Sequence, residues 1–174
     1  MWFEPCAPQT NQTTKDNTMS FARINPARDA EKPATYHVEY DGEALYHEGQ
    51  PIEMDFLGTD SPAGQRAGIR QAKRLDALKP KGKKERTIQD YSEDEIADRA
   101  AKVTASNAKF YAEMLNGWRN VTHIPSGKPD GKEELLEYTP EAAIELLTKA
   151  EWLHAGIDAF LANKANWRKG GETA

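Results

Sequence analysis

The sequence predicts an α+β fold, with a small N-terminal antiparallel β unit followed by a helical domain and a disordered N-terminal tail. Two patterns carry this. Tyr36, Val38 and Tyr40 alternate with His37 and Glu39, and Ile52, Met54 and Phe56 alternate with Glu53 and Asp55. A period of two belongs to strands with one apolar face. From Ile96 the chain runs through Ala100, Val103, Asn107, Phe110, Met114 and Gly117 in alternating steps of four and three, an amphipathic helical seam. A length of 174 residues suits one domain, and 38 % hydrophobic against 29 % charged residues predicts a modest core.

Residues 1–34 are expected to form the disordered tail, since Gln, Asn, Thr, Pro and Asp dominate them without any period. Phe21 and Ile24 are candidates for local docking there, and Met19-Ser20 offers a second start that would make 1–18 an upstream extension. The β unit spans 35–60. Asp41-Gly42 signals a turn, and Leu45-Tyr46 begins a further strand before Gly49. No internal repeat is evident. A lone hairpin is marginal in water, so the unit must pack on helices or on another protein.

A basic helix and charged linker occupy 61–90. Ser61 caps the helix and Pro62 takes its first position. Ile69, Ala72 and Leu75 fall at helical spacing as its expected inner face, with Arg66, Arg70, Lys73 and Arg74 on the other surface. Pro80 and Gly82 make Lys79 to Arg86 a linker. The helical domain covers 91–169. Ser92 and Glu95 form a capping box, with acidic residues in the first turn to suit the helix dipole. Tyr111, Leu115 and Trp118 widen the apolar stripe of this helix, which is expected to end at Gly117-Trp118, and Asn107 needs a partner if buried. After a polar loop with Gly127 and Gly131, Thr139-Pro140-Glu141 starts another helix, with Ala143, Ile144 and Leu147 as its apolar face. Leu153, Ile157, Phe160 and Leu161 share a further face, and Gly170-Gly171 ends the ordered chain.

Several chemistries lack their residues. Cys6 is the one cysteine, so no internal disulfide forms. His37, His47, His123 and His154 have no partner at metal spacing, and Gly127-Lys128 and Gly131-Lys132 lack the phosphate-loop frame. Asp94, Glu95 and Asp98 read as a solvated helix start. No enzyme activity, metal or cofactor is expected. No apolar run approaches the roughly 20 residues of a membrane span, and the N-terminus has no basic region followed by an apolar one. The net charge of −5 hides an asymmetry: residues 66–86 hold nine Lys/Arg and two acids. Such a block serves as a solvated linker, steers a protein partner or binds nucleic acid. The last is least favoured, since no aromatic residue is interleaved for base stacking. Trp118, Trp152 and Trp167 fill a core or anchor a partner.

The order of these features resembles the tail assembly chaperones of long-tailed bacteriophages. The resemblance lies in an N-terminal β segment, the junction Gly58-Thr59-Asp60-Ser61-Pro62, and a basic helix with a charged linker. It continues with a helix ending in Gly117-Trp118, a glycine loop, the start Thr139-Pro140-Glu141-Ala142-Ala143, and an aromatic-closed end from Phe160 to Trp167. Ala142 stands where that family commonly has Asn. The match covers roughly residues 35–168. It implies a non-enzymatic accessory that holds the phage tape measure protein, the tail tube protein or both in solution during tail assembly. Such an accessory acts in the host cytoplasm and is absent from the mature virion; self-association is compatible with the role. The candidate protein-binding residues are Tyr111, Leu115 and Trp118, with Trp152, Phe160 and Trp167 opposite. Steering falls to Arg66, Arg70, Lys73, Arg74, Lys81, Lys83, Lys84 and Arg86. The resemblance also implies a longer frameshifted product joined near Lys169-Gly170-Gly171. The rival classes are a structural virion component, such as a minor tail or connector protein, and a small nucleic-acid-binding regulator using the 66–86 block.

Overall fold

In the computed structural model, residues 25–79, 91–124 and 131–168 are described. Order begins earlier than expected. Asn25 accepts a hydrogen bond from the Arg28 amide and Pro26 takes the first helical position, so α1 (Pro26–Ala30) forms inside what the composition assigns to the tail. Ala30 is only 3 % exposed, because its methyl group packs against Gly58 beside Trp167. The tail assignment also fails at its other end, since Ala34 already begins the first strand, while residues 1–24, with Phe21, Ile24 and Met19, lie outside the described residues.

The β unit contains the strands that alternation predicts, β1 (Ala34–His37) and β6 (Glu53–Phe56), paired antiparallel with Tyr36 opposite Met54. Between them run two tiny hairpins, β2 (Glu39–Tyr40) with β3 (Glu43–Ala44), and β4 (Tyr46–His47) with β5 (Gln50–Pro51). Their turns, Asp41-Gly42 and Glu48-Gly49, have positive φ at both central residues, the geometry that matches strand twist. The hairpins meet in a closed backbone ring. Val38 N–H donates to Ile52 O, Ile52 N–H to Leu45 O, and Leu45 N–H to Val38 O, at 2.8–2.9 Å. These three residues lie seven apart, each pair enclosing an acid-Gly turn. A short repeat is therefore present where none was evident. Its apolar members are satisfied through the backbone, so the side chains preserve little besides the two turns.

α2 (Pro62–Ala77) starts as predicted, with the Ser61 hydroxyl accepting from Gly64 N–H at 3.0 Å and donating to Gly58 O at 2.7 Å. Of its expected inner face only Leu75 is half-buried. Gly64 and Ala67 are buried, Gln71 and Arg74 are half-buried, and Ile69 and Ala72 point to water. Small residues, not large apolar ones, let this helix approach the 58–59 backbone closely.

α3 (Glu93–Met114) opens with both hydrogen bonds of the predicted capping box. The expected helix end at Gly117-Trp118 is incorrect: Leu115 is extended, and β7 (Leu115–Arg119) joins the antiparallel sheet in the order β1-β6-β7. The free side of β6 requires a partner for its backbone groups, and β7 provides it. Leu57 N–H also donates to Met114 O at 2.9 Å. The β strands and the helices thus share one core, in which Met54, Phe56, Met114, Leu147 and Ile157 are fully buried.

A small ladder, β8 (Thr122–His123) with β9 (Glu134–Leu135), leads to α4 (Pro140–Lys149), whose Thr139 cap accepts from Ala142 N–H. A turn at 150–152 breaks the chain before α5 (Leu153–Ala162). A 3-10 turn (Lys164–Trp167) closes the described fold, with Trp167 Nε1 donating to Phe56 O.

Candidate docking surface

The two halves of α3 differ in what covers them. The C-terminal half is held to α2 by polar contacts. Gln71 donates to Asn107 Oδ1 at 2.6 Å and accepts from Ser106 Oγ at 2.9 Å. Arg70 and Arg74 both grip Glu113, at 3.0 and 2.9 Å. Asn107 thus has the partner its place in the seam demands.

Among the described residues α2 gives the N-terminal half no such cover. Every residue from Ser92 to Lys102 is exposed, and Ile96 is 42 % exposed despite lying on the apolar stripe. Ile96, Ala100 and Val103 line an open groove of about 500 Å³ that reaches Asn107 and Glu151. Thr104 Oγ1 donates to Glu151 at 2.9 Å at its edge. An apolar groove rimmed by charges accepts one side of a partner helix through side chains spaced three and four apart.

Most of the aromatic candidates are placed elsewhere. Tyr111, Leu115 and Trp167 are buried, which removes them from any docking surface in this fold. Tyr111 donates to Asp158 at 2.8 Å, and burial together with that carboxylate pushes its phenol well above the usual tyrosine range. Phe160 is half-buried among the rings of Tyr36, Phe56 and Trp167. Trp118 is half-buried, donates to Leu136 O at 2.7 Å and meets Tyr138 edge-on. Trp152 remains 46 % exposed, edge-on to the exposed Tyr40. The structure brings Phe160 and Trp167 together and sets Trp118 and Trp152 apart from them. The groove residues belong to the stripe the sequence shows, whose periodicity carries no sign of which half is covered.

The predicted cations also divide. Arg70 and Arg74 are engaged by Glu113, whereas Arg66 and Lys73 are exposed and form no ion pair among the described residues. Lys81, Lys83, Lys84 and Arg86, and the Lys169-Gly170-Gly171 junction, lie outside the described residues.

A second charged cluster covers the solvent face of the sheet. Arg119 reaches across β6 to Glu53 and Asp55, both at 2.6 Å, and Thr35 donates to Asp55 at 2.7 Å. Burial alone raises the Asp55 carboxyl, but these hydrogen bonds and the guanidinium charge outweigh it and hold the group below its ordinary range. Among the described residues no group of three or more His, Cys, Asp or Glu is placed to hold a metal ion, and no helix is long and apolar enough to cross a membrane.

Comparison with known families places this small α+β chain among proteins of prophage origin. It belongs to the YdaY prophage protein family, whose model matches residues 65–173, from the first turns of α2 past the end of the described fold. Neither the curated proteins nor the solved structures yield a match.

Proposed function

We propose that the protein is a non-enzymatic tail assembly chaperone. It binds the tape measure protein, the tail tube protein or both while the tail is built in the host cytoplasm, and leaves before the virion is complete. The N-terminal half of α3, exposed among the described residues, carries this reading. A stripe of Ile96, Ala100 and Val103 on a helix exposed on all sides is a surface that water solvates poorly. A long helical client presents the complementary stripe, and shielding it during assembly prevents its aggregation. Prophage origin and the order of sequence features support the same reading.

The test is co-expression with the tape measure gene of the same prophage. The native chain should move that protein into the supernatant and co-purify with it. Ala100→Glu, at an exposed groove position, should abolish both effects while the variant itself stays folded. A tape measure protein equally insoluble with and without the native chain would refute the chaperone role. Stoichiometric presence in purified particles would favour the minor tail or connector reading instead.

A further inference from the structure

Charge is divided along this chain. Residues 33–65 carry seven acids and no Lys or Arg, and residues 66–86 carry nine Lys/Arg and two acids. The fold neutralises part of the first stretch: Arg119 takes up Glu53 and Asp55, and Lys164 pairs with Asp60 at 2.9 Å. Glu39, Asp41, Glu43 and Glu48 form no ion pair among the described residues. In the same stretch stands an aromatic platform. Tyr40 is 53 % exposed and Trp152 46 %, and their rings meet edge-on with centroids 5.2 Å apart. Glu43 is directly opposite Tyr40 in the β2-β3 register, so both side chains leave the hairpin on one face. Exposed rings beside an unpaired carboxylate suit a partner that is apolar at its tip and cationic around it.

The chain carries such a surface itself, on the outer face of α2. The inward line of this helix runs through Gly64, Ala67, Gln71 and Arg74, so at about 100° per residue Ile69 points directly away from the body, and it is 59 % exposed. Arg66 and Lys73 flank it one turn to either side, both exposed and outside any ion pair among the described residues. Arg70 and Arg74 differ from them, since Glu113 holds both. An isoleucine framed by two unpaired cations is a knob. It points outward, so it cannot reach the platform of its own chain.

We propose that the chain self-associates head to tail, with Ile69 of one copy seated on the Tyr40 and Trp152 rings of the next. Arg66 and Lys73 then lie against the rings and beside Glu43, where cation–π attraction adds to the charge complementarity. Because knob and platform are different patches, the contact is heterologous. Every added copy leaves one knob and one platform free, so the assembly grows as an open chain or closes into a ring. The contact is small. Two half-exposed rings and one isoleucine keep it below the roughly 1,200 Å² of ordinary stable interfaces, so association is transient and concentration-dependent. Neither the stripe on α3 nor the chaperone role enters the inference.

Sedimentation velocity on the full chain over a concentration series tests it. The native protein should assemble progressively, and less so in high salt. Ile69→Glu and Trp152→Lys, both at exposed positions, should each leave monomers with an unchanged far-ultraviolet circular dichroism spectrum. The decisive arm mixes them. Ile69→Glu retains a working platform and Trp152→Lys a working knob, so the mixture should form one-to-one dimers and nothing larger. Arg66→Glu combined with Lys73→Glu should weaken assembly several-fold, and adding Glu43→Lys to that pair should restore part of it. A native chain that stays monomeric throughout overturns the inference, as does assembly indifferent to these changes, a mixture that remains monomeric, or a charge reversal without recovery. Ile69→Glu should still dissolve a client in the co-expression test, so failure of self-association and failure of chaperoning are read separately.

Discussion

Two glycines on α2 give opposite answers to the same substitution. At Gly68 an added Cβ meets nothing within 4 Å, so Gly68→Ala should collect the ordinary helix-propensity gain of roughly 0.5–1 kcal/mol. At Gly64 the same methyl group would lie 2.5 Å from Gly58 O and 2.8 Å from both Cα and O of Thr59. All three are backbone atoms, so no side chain can swing aside. Gly58 O also accepts from the amide and the hydroxyl of Ser61, so displacing it disturbs the cap of the whole helix. Overpacking of this kind costs about 1–3 kcal/mol and a lost cap about 1 more, against the same propensity gain. Gly64→Ala should therefore destabilise by about 1–3 kcal/mol. For a chain of this length that is about 2–4 °C of Tm per kcal/mol. Equilibrium urea unfolding reads both variants, with the midpoint moving in opposite directions at a constant slope. Equal shifts of one sign would show that α2 is not seated on the 58–59 backbone. The assignment of Ile69 to its outer face would then fall as well.

The two C-terminal tryptophans should separate by the same assay. Trp167→Ala removes a buried ring that bonds Phe56 O and should cost about 3–5 kcal/mol, whereas Trp152→Ala, half in water, should cost less than about 1 kcal/mol. Glu113→Gln strips Arg70 and Arg74 of their shared carboxylate. A loss of about 1 kcal/mol is expected after discounting for solvent, shrinking at high salt; a loss that ignores salt would show that charge is not what joins the helices. Asp55 sets an acid dependence. Its folded pKa is lowered, so its contribution is present above the ordinary aspartate range and is lost as pH falls through the lowered value. The deficit of Asp55→Asn relative to the native chain, measured by urea unfolding, should therefore shrink from pH 7 towards pH 3; a constant deficit would count against the Arg119 cluster as its source.

What the sequence makes legible here is local or one-sided. Ser61, Ser92 and Thr139 accept from amides three residues away, so their caps can be read from a few letters. The alternation at 52–56 is legible because β6 has one buried face. β7 was misread because Leu115 and Gly117 fit the helical steps as well as an extended strand, and the strand that claims them lies some sixty residues earlier. Non-local pairing leaves no mark on the periodicity of the segment itself. The face of α2 departs from the apolar spacing for a different reason. Gly64, Ala67, Gln71 and Arg74 bury area through closeness and hydrogen bonds, to which hydrophobic spacing is blind.

Both differences bear on which of the candidate docking residues reach the surface. The even steps of four and three from Ile96 to Gly117 do not distinguish the two halves of α3. Once residues 115–119 turn into the sheet, Leu115 is carried into the interior, while Tyr111 is buried against His154 and Asp158 of α5. Once α2 settles on Asn107 and Glu113, it covers the C-terminal half of α3 and stops. The stripe continues for about three turns past that cover. Apolar periodicity beyond the reach of α2 leaves α3 with a stripe exposed among the described residues. The same packing turns Ile69 outward between the exposed Arg66 and Lys73, so both exposed stretches follow from one choice of face on α2.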